Sequence, residues 1–143
     1  MKSKQVKELM ETNLKLISPD ATLAEAAKKM KECGCGFLPV GDKDKAEGII
    51  TDRDIVVRSI AEGKDPSKVK VRDCMTDEVC CIRETDSLED AAKKMSEKNV
   101  SRLVVRDKND KISGVLTFGR ILRTNDNKHE TSSVVESARR KAS

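Results

Sequence analysis

"TLAEAAKKM" fills Thr22–Met30, and "SLEDAAKKM" fills Ser87–Met95, 65 residues further on. At the same shift "VKELM" (Val6–Met10) meets "VRDCM" (Val71–Met75), and "FLPV" (Phe37–Val40) meets "RLVV" (Arg102–Val105). One extra residue in a later turn brings "GIITDRDIV" (Gly48–Val56) onto "GVLTFGRIL" (Gly114–Leu122). The match runs almost from end to end, so the chain is an internal repeat.

Each copy carries the same plan. A short helical turn at Val6–Met10 or Val71–Met75 comes first, then a short strand near Leu14–Ile17 or Val79–Ile82. An amphipathic helix follows. Thr22 is its N-cap in the first copy, and Glu25 completes a capping box. Leu23, Ala26, Ala27 and Met30 fall at helical spacing as the buried stripe. Gly34 and Gly36 close that region. A hairpin comes next, Phe37–Val40 and Gly48–Ile50 around "GDKDKAE", or Leu103–Arg106 and Ile112–Leu116 around "DKNDK". A last helix starts at Thr51 or Thr117; Gly63 ends the first, and "KDPSK" bridges the copies.

The expected fold is therefore α/β (α+β): two pseudo-twofold-related strand–helix–strand–strand–helix units packed sheet to sheet, helices outside. One such unit alone would bury only a marginal core. The repeats are 1–65 and 66–125, followed by a polar tail at 126–143 that is either a short helix near Ser133–Arg140 or irregular.

Composition narrows the function. Hydrophobic residues make up 36% and charged residues 38%, with two Phe, no Trp and no Tyr. The net charge is +4, with Lys and Glu interspersed rather than blocked. Neither a nucleic-acid footprint nor a base-stacking platform is expected. No apolar run reaches membrane-span length, and the charged N-terminus has no signal core. Five cysteines without an export signal point to reduced thiols in the cytoplasm.

The paired "VKELM"/"VRDCM", "TLAEAAKKM"/"SLEDAAKKM", "GFLPV"/"SRLVV" and above all "GIITDRD" resemble a tandem pair of CBS domains, or Bateman module, of the stand-alone bacterial or archaeal type. The resemblance implies a regulatory role and no enzymatic one. It implies an adenosine-containing ligand (AMP, ADP, ATP, NAD or S-adenosylmethionine) in clefts between the copies, and a homodimer of four repeats. It implies that the Asp of G-x-x-T-x-x-D takes the ribose, while the Thr and nearby cations meet the phosphate. Carried over, these are Thr51 and Asp54, with Ile17 and Ser18 at the first-strand exit and Phe37, Leu38 and Pro39 on the base side. The second copy keeps Thr117 but has Arg120 where the ribose Asp belongs.

Two readings of Thr51 and Asp54 stand side by side. As a capping box they would satisfy free N–H groups, worth about 1 kcal/mol. Arg53 does not fit that alone, because a cation in the first helical turn forgoes about 0.3–1 kcal/mol of dipole energy. An arriving phosphate would offset it, and Asp54 suits a vicinal diol. Arg102, Thr117 and Arg120 are the second copy's candidates for phosphate contacts; the bland alternative is a surface arginine paired with an acid.

Cys33-Gly-Cys35 and Cys80-Cys81 lack zinc-ligand spacing, and the only histidine, His129, lies in the tail. No metal is expected, and a thiol switch is a minor alternative. There is no nucleophile with a base partner and no G-x-x-x-x-G-K-[ST] loop, so neither catalysis nor a catalytic cofactor is expected. The competing functional classes are a ligand-free structural or partner-docking module and, more remotely, a nucleic-acid binder with steep salt dependence.

Overall fold

The computed structural model describes residues 4–123; the tail at 126–143 lies outside them. The chain divides into two compact units. One is Lys15–Val79; the other joins residues 4–14 to residues 80–123. The sequence repeats at 1–65 and 66–125 are thus offset from the compact units. The leading segment of each repeat folds with the body of the other, and the chain passes between units at 14–15 and 79–80.

In the Lys15–Val79 unit, α1 (Leu23–Cys33) packs on a hairpin of β1 (Phe37–Gly41) and β2 (Ala46–Thr51). The predicted capping box is present: Glu25 N–H donates to Thr22 Oγ1 at 3.1 Å, and Thr22 N–H to Glu25 Oε2 at 2.9 Å. Two further N–H groups of the first turn are met by the linker, Leu23 N–H by Val69 O and Ala24 N–H by Pro66 O. The helix ends on left-handed Gly34. After β2, α2 (Asp52–Ile55) continues as a π-helical turn at Val56–Ile60. Leu23, Ala26, Met30, Leu38, Val40, Ile50 and Val71 are among the residues of the core. Gly48 lets the 71–76 segment pass close by, since a Cβ there would lie 2.6 Å from Thr76 O.

The other unit repeats this with β3 (Cys81–Arg83), α3 (Leu88–Lys98), β4 (Arg102–Arg106), β5 (Ile112–Thr117) and α4 (Phe118–Arg123). Lys4 O takes the role of Val69 O and caps Leu88 N–H. Gly114 takes the role of Gly48, here facing Met10 and Glu11. Val6 and Leu9 join Leu88, Ala91, Met95, Leu103 and Leu116 in this core.

Two expectations need correction. The strand expected near Leu14–Ile17 is reduced to a parallel bridge between Ile17 and Val40, leaving a two-stranded sheet. Its counterpart, β3, is a full strand paired parallel to β4. The cause is Pro39. At the matching position Val104 N–H donates to Cys80 O at 2.9 Å, and proline has no such donor. Ala27, expected in the buried stripe, is exposed, whereas its counterpart Ala92 is buried.

Candidate functional site

The sequence-predicted residues of the first repeat all lie in the Lys15–Val79 unit; Phe37, Thr51, Arg53 and Asp54 meet at its hairpin–helix corner, whereas Ile17 bridges Val40 further along the hairpin. Thr51 ends β2 in extended backbone and caps α2. Asp54 N–H donates to Thr51 Oγ1 and Thr51 N–H donates to Asp54 Oδ2, both at 3.0 Å. The capping reading is therefore realised in full.

It does not account for Arg53. Its backbone N–H is taken by Asp52 Oδ1 at 2.8 Å, yet its side chain is exposed and no acid among the described residues pairs with its guanidinium. A residue the sequence reading missed sits beside Asp54: Arg58 Nε lies 3.8 Å from Asp54 Oδ1, and Arg58 Nη1 donates to Cys74 O at 3.0 Å. The i,i+4 spacing of Asp54 and Arg58 was the available signal. Asp54's side chain is 14% exposed, and Arg58's is 50% exposed.

Phe37 pairs with Thr51 across the hairpin and is half-buried. Behind it, Leu38 and Ile17 are core residues, 1% and 5% exposed, while Pro39 is buried and accepts Ile17 N–H at 3.1 Å. These three shape the corner from within. Ser18 is exposed, and its Oγ accepts Asp20 N–H. Gly36 O accepts Asp52 N–H at 2.9 Å, and a Cβ on Gly36 would lie 3.0 Å from Asp52 Oδ2. That tight junction, too, was not foreseen.

The corresponding corner of the other unit differs. Arg102 pairs with Thr117 in the register of Phe37 and Thr51, and Ser101 O accepts Phe118 N–H at 3.0 Å. Thr117 Oγ1 accepts Arg120 N–H at 3.1 Å. The Arg120 guanidinium turns to its own unit: Nε donates to Leu9 O at 2.5 Å and Nη1 meets Glu11 Oε2 at 3.1 Å. The three second-repeat candidates thus meet at one corner, with Arg120 already engaged by an acid.

The cysteines depart from expectation. Cys33 and Cys35 are joined as a disulfide, while Cys74, Cys80 and Cys81 are reduced. Burial pushes the Cys74 thiol pKa up. Among the described residues no cluster of His, Cys, Asp and Glu is arranged to hold a metal, and no helix is long and apolar enough to cross a membrane.

Comparison with known proteins adds a family signature. The CBS domain family model matches twice, at residues 6–60 and 71–126. The chain is 37% identical over 123 residues to the uncharacterised protein MK0525 of Methanopyrus kandleri, covering 85% of this chain and 63% of that one. It is 35% identical over 114 residues to the CBS domain-containing protein YhcV of Bacillus subtilis, covering 80% of each. Among solved structures, the CBS domain pair of MJ0100, in complex with 5′-methylthioadenosine and S-adenosyl-L-methionine, superposes with a TM-score of 0.74 at 28% identity. That match covers 85% of this chain and 95% of the other.

Proposed function

The chain belongs to the CBS-domain family, and on that premise we propose that it is a regulatory module that holds an adenosine-containing ligand at the Thr51–Asp54 corner. AMP, ADP, ATP and NAD are the ligands proposed, and the module carries out no reaction of its own. The observation that carries this is Arg53. The helix start is already capped by Thr51 and Asp54. A cation beside that cap, with no acid on its guanidinium among the described residues, suits an incoming phosphate. A CBS pair solved with two adenosine-type ligands supports the chemical class.

In this reading Asp54 keeps its bond to Thr51 N–H and exchanges Arg58 for the ribose hydroxyls. A carboxylate has lone pairs enough for both. Phe37 borders the base, backed by the buried Ile17, Leu38 and Pro39, with Ser18 at the edge. Arg102, Thr117 and Arg120 form the matching corner of the other unit, which offers charge and no ribose grip.

Titration of AMP, ATP and NAD by calorimetry tests the proposal. Asp54→Ala is expected to abolish binding. Asp54→Asn, which keeps an oxygen for the Thr51 N–H, separates the lost grip from the lost cap and is expected to weaken binding at least tenfold, about 1.4 kcal/mol. Unchanged affinity in Asp54→Asn would overturn the ribose role.

A second reading, docking without a ligand, has its own observation. Val56, Val57 and Ile60 are 53%, 44% and 55% exposed on the π-helical turn, and Leu122, at the matching position of α4, is 40% exposed. Apolar side chains exposed on both units fit a second copy of this chain, and the module is proposed to be a homodimer. Val56→Glu with Ile60→Glu is expected to give a monomer by light scattering. A dimer of unchanged mass would count against that face.

A further inference from the structure

In the 80–123 body, the turn after α3 runs Lys98-Asn99-Val100-Ser101. Asn99 is left-handed at φ 56°, and Val100 N–H donates to Met95 O at 3.0 Å. In the other unit the same turn runs Cys33-Gly34-Cys35-Gly36. Gly34 is left-handed at φ 66°, and Cys35 N–H donates to Met30 O at 3.1 Å. The backbone turn is the same whether or not a sulfur bridge spans it. The Cys33–Cys35 disulfide is therefore not what makes the turn.

Nor does it hold the fold together. It links cysteines two positions apart, so it removes little chain entropy from the unfolded state. Gly34, between the two sulfurs, is exposed, and both cysteines are half-buried at the edge of the core. The bridge is thus within reach of a small reagent and can open without unfolding the unit.

What lies next to it gives the bridge a consequence. Gly36 follows Cys35, hands its carbonyl to Asp52 N–H at 2.9 Å, and packs against the Asp52 carboxylate. Phe37 follows Gly36 and pairs with Thr51. The turn that the disulfide clamps is therefore joined directly to both ends of the corner that carries Thr51, Arg53 and Asp54.

We infer that Cys33 and Cys35 form a reversible dithiol–disulfide site whose redox state sets the rigidity of the Gly36–Asp52 junction. A dithiol reductant opens it. One reductant thiolate attacks a bridge sulfur, forming a mixed disulfide and releasing the other cysteine as a thiolate. The second reductant thiol then displaces the mixed disulfide. Two electrons and two protons pass to Cys33 and Cys35, and the reductant leaves as its own disulfide. The closed form holds the corner preorganised and binds nucleotide more tightly. Only this last consequence rests on the nucleotide reading.

The full chain tests this. In denaturant, the air-oxidised protein is expected to titrate three thiols, and five after dithiothreitol. Hydrogen exchange in peptides covering residues 34–37 and 51–54 is expected to quicken several-fold on reduction, with the unfolding midpoint in urea nearly unmoved. The AMP dissociation constant should rise about two- to fivefold, comparable to one net hydrogen bond. The double variant Cys33→Ser, Cys35→Ser is expected to behave as the reduced protein and to ignore dithiothreitol. If it fails to fold, the wild-type comparison with and without reductant decides alone. Five thiols after diamide treatment, or identical exchange in both states, would overturn the inference. If AMP, ATP and NAD bind in neither state while exchange differs, the nucleotide reading falls and the redox site stands.

Discussion

The hairpin–helix corner at Phe37–Arg58 and the one at Arg102–Arg123 share a backbone and differ in chemistry. In each, a threonine ends the second hairpin strand and accepts the N–H three residues on, at 3.0 Å and 3.1 Å. In each, the carbonyl before the first hairpin strand takes an N–H of the helix start, Gly36 O in one and Ser101 O in the other. A helical lysine ties down a carbonyl of the segment before its helix in both, Lys29 to Leu16 O and Lys94 to Cys81 O.

The side chains then part. Asp54 is replaced by Arg120. In the Lys15–Val79 unit, Arg58 grips Cys74 O from one turn beyond Asp54. In the other unit, Arg120 grips the matching carbonyl, Leu9 O, from the position of the aspartate itself. One arginine there does the structural work that an Asp–Arg pair does here, and no acid stands at the position of Asp54. Duplication preserved what closes the fold and released what does not.

The largest expected effect comes from exchanging the residues that decide strand number. Val104→Pro removes the donor to Cys80 O in a buried strand and is expected to cost about 2–4 kcal/mol in urea unfolding, a lost bond plus an unsatisfied carbonyl. Pro39→Val restores a donor on the other unit and is expected to change stability by less than about 1 kcal/mol, because proline's entropic benefit is lost at the same time. Equal and opposite shifts would mean that Pro39 is not what limits the smaller sheet.

The two arginines come next. Arg58→Ala and Arg120→Ala each lose a grip on an equivalent carbonyl and should each cost about 1 kcal/mol, since both side chains are partly exposed. Their effects on nucleotide should differ. Freeing Asp54 in Arg58→Ala is expected to tighten AMP binding about two- to fivefold, whereas Arg120→Ala frees no ribose-type acid and should leave it unchanged. The same change in both would break the proposed division of labour.

The smallest effect is in pH. The Arg72 guanidinium, bonded to Asp20 at 2.8 Å, holds that carboxyl below the usual carboxylate range. The other unit has Thr85 and Lys7 at these positions and no such pair. A lowered folded-state pKa gives stability that is present above the ordinary carboxylate value and lost as pH falls through the folded one. Asp20→Asn should therefore lower stability slightly near neutrality, and the difference from the unchanged chain should vanish as pH falls below about 4.

Much of this was legible in the sequence. The Thr22–Glu25 box, the left-handed Gly34 and the Thr51 cap rest on contacts three or four residues apart, and local pattern records such contacts. The same pattern failed at Leu14–Ile17, where the strand depends on a donor supplied from residue 39. It also failed at Ala27, whose exposure depends on what lies opposite. Arg58 escaped notice although its i,i+4 spacing from Asp54 was visible, because a surface ion pair is a weak signal until its carbonyl partner is known.

The sequence by itself determined the repeat, the order of elements within it and the loss of the ribose-type acid from the second copy. Periodicity and side-chain identity carry that information directly. Only the tertiary structure decided that each leading segment, Val6–Glu8 or Val71–Asp73, completes the body of the other repeat. It alone decided which arginine holds Cys74 O or Leu9 O, and that Cys33 and Cys35 meet. Those choices pair groups far apart in the chain, or turn on the local path of one backbone turn. Hydrophobic patterning is indifferent to which of two equivalent partners buries a given face.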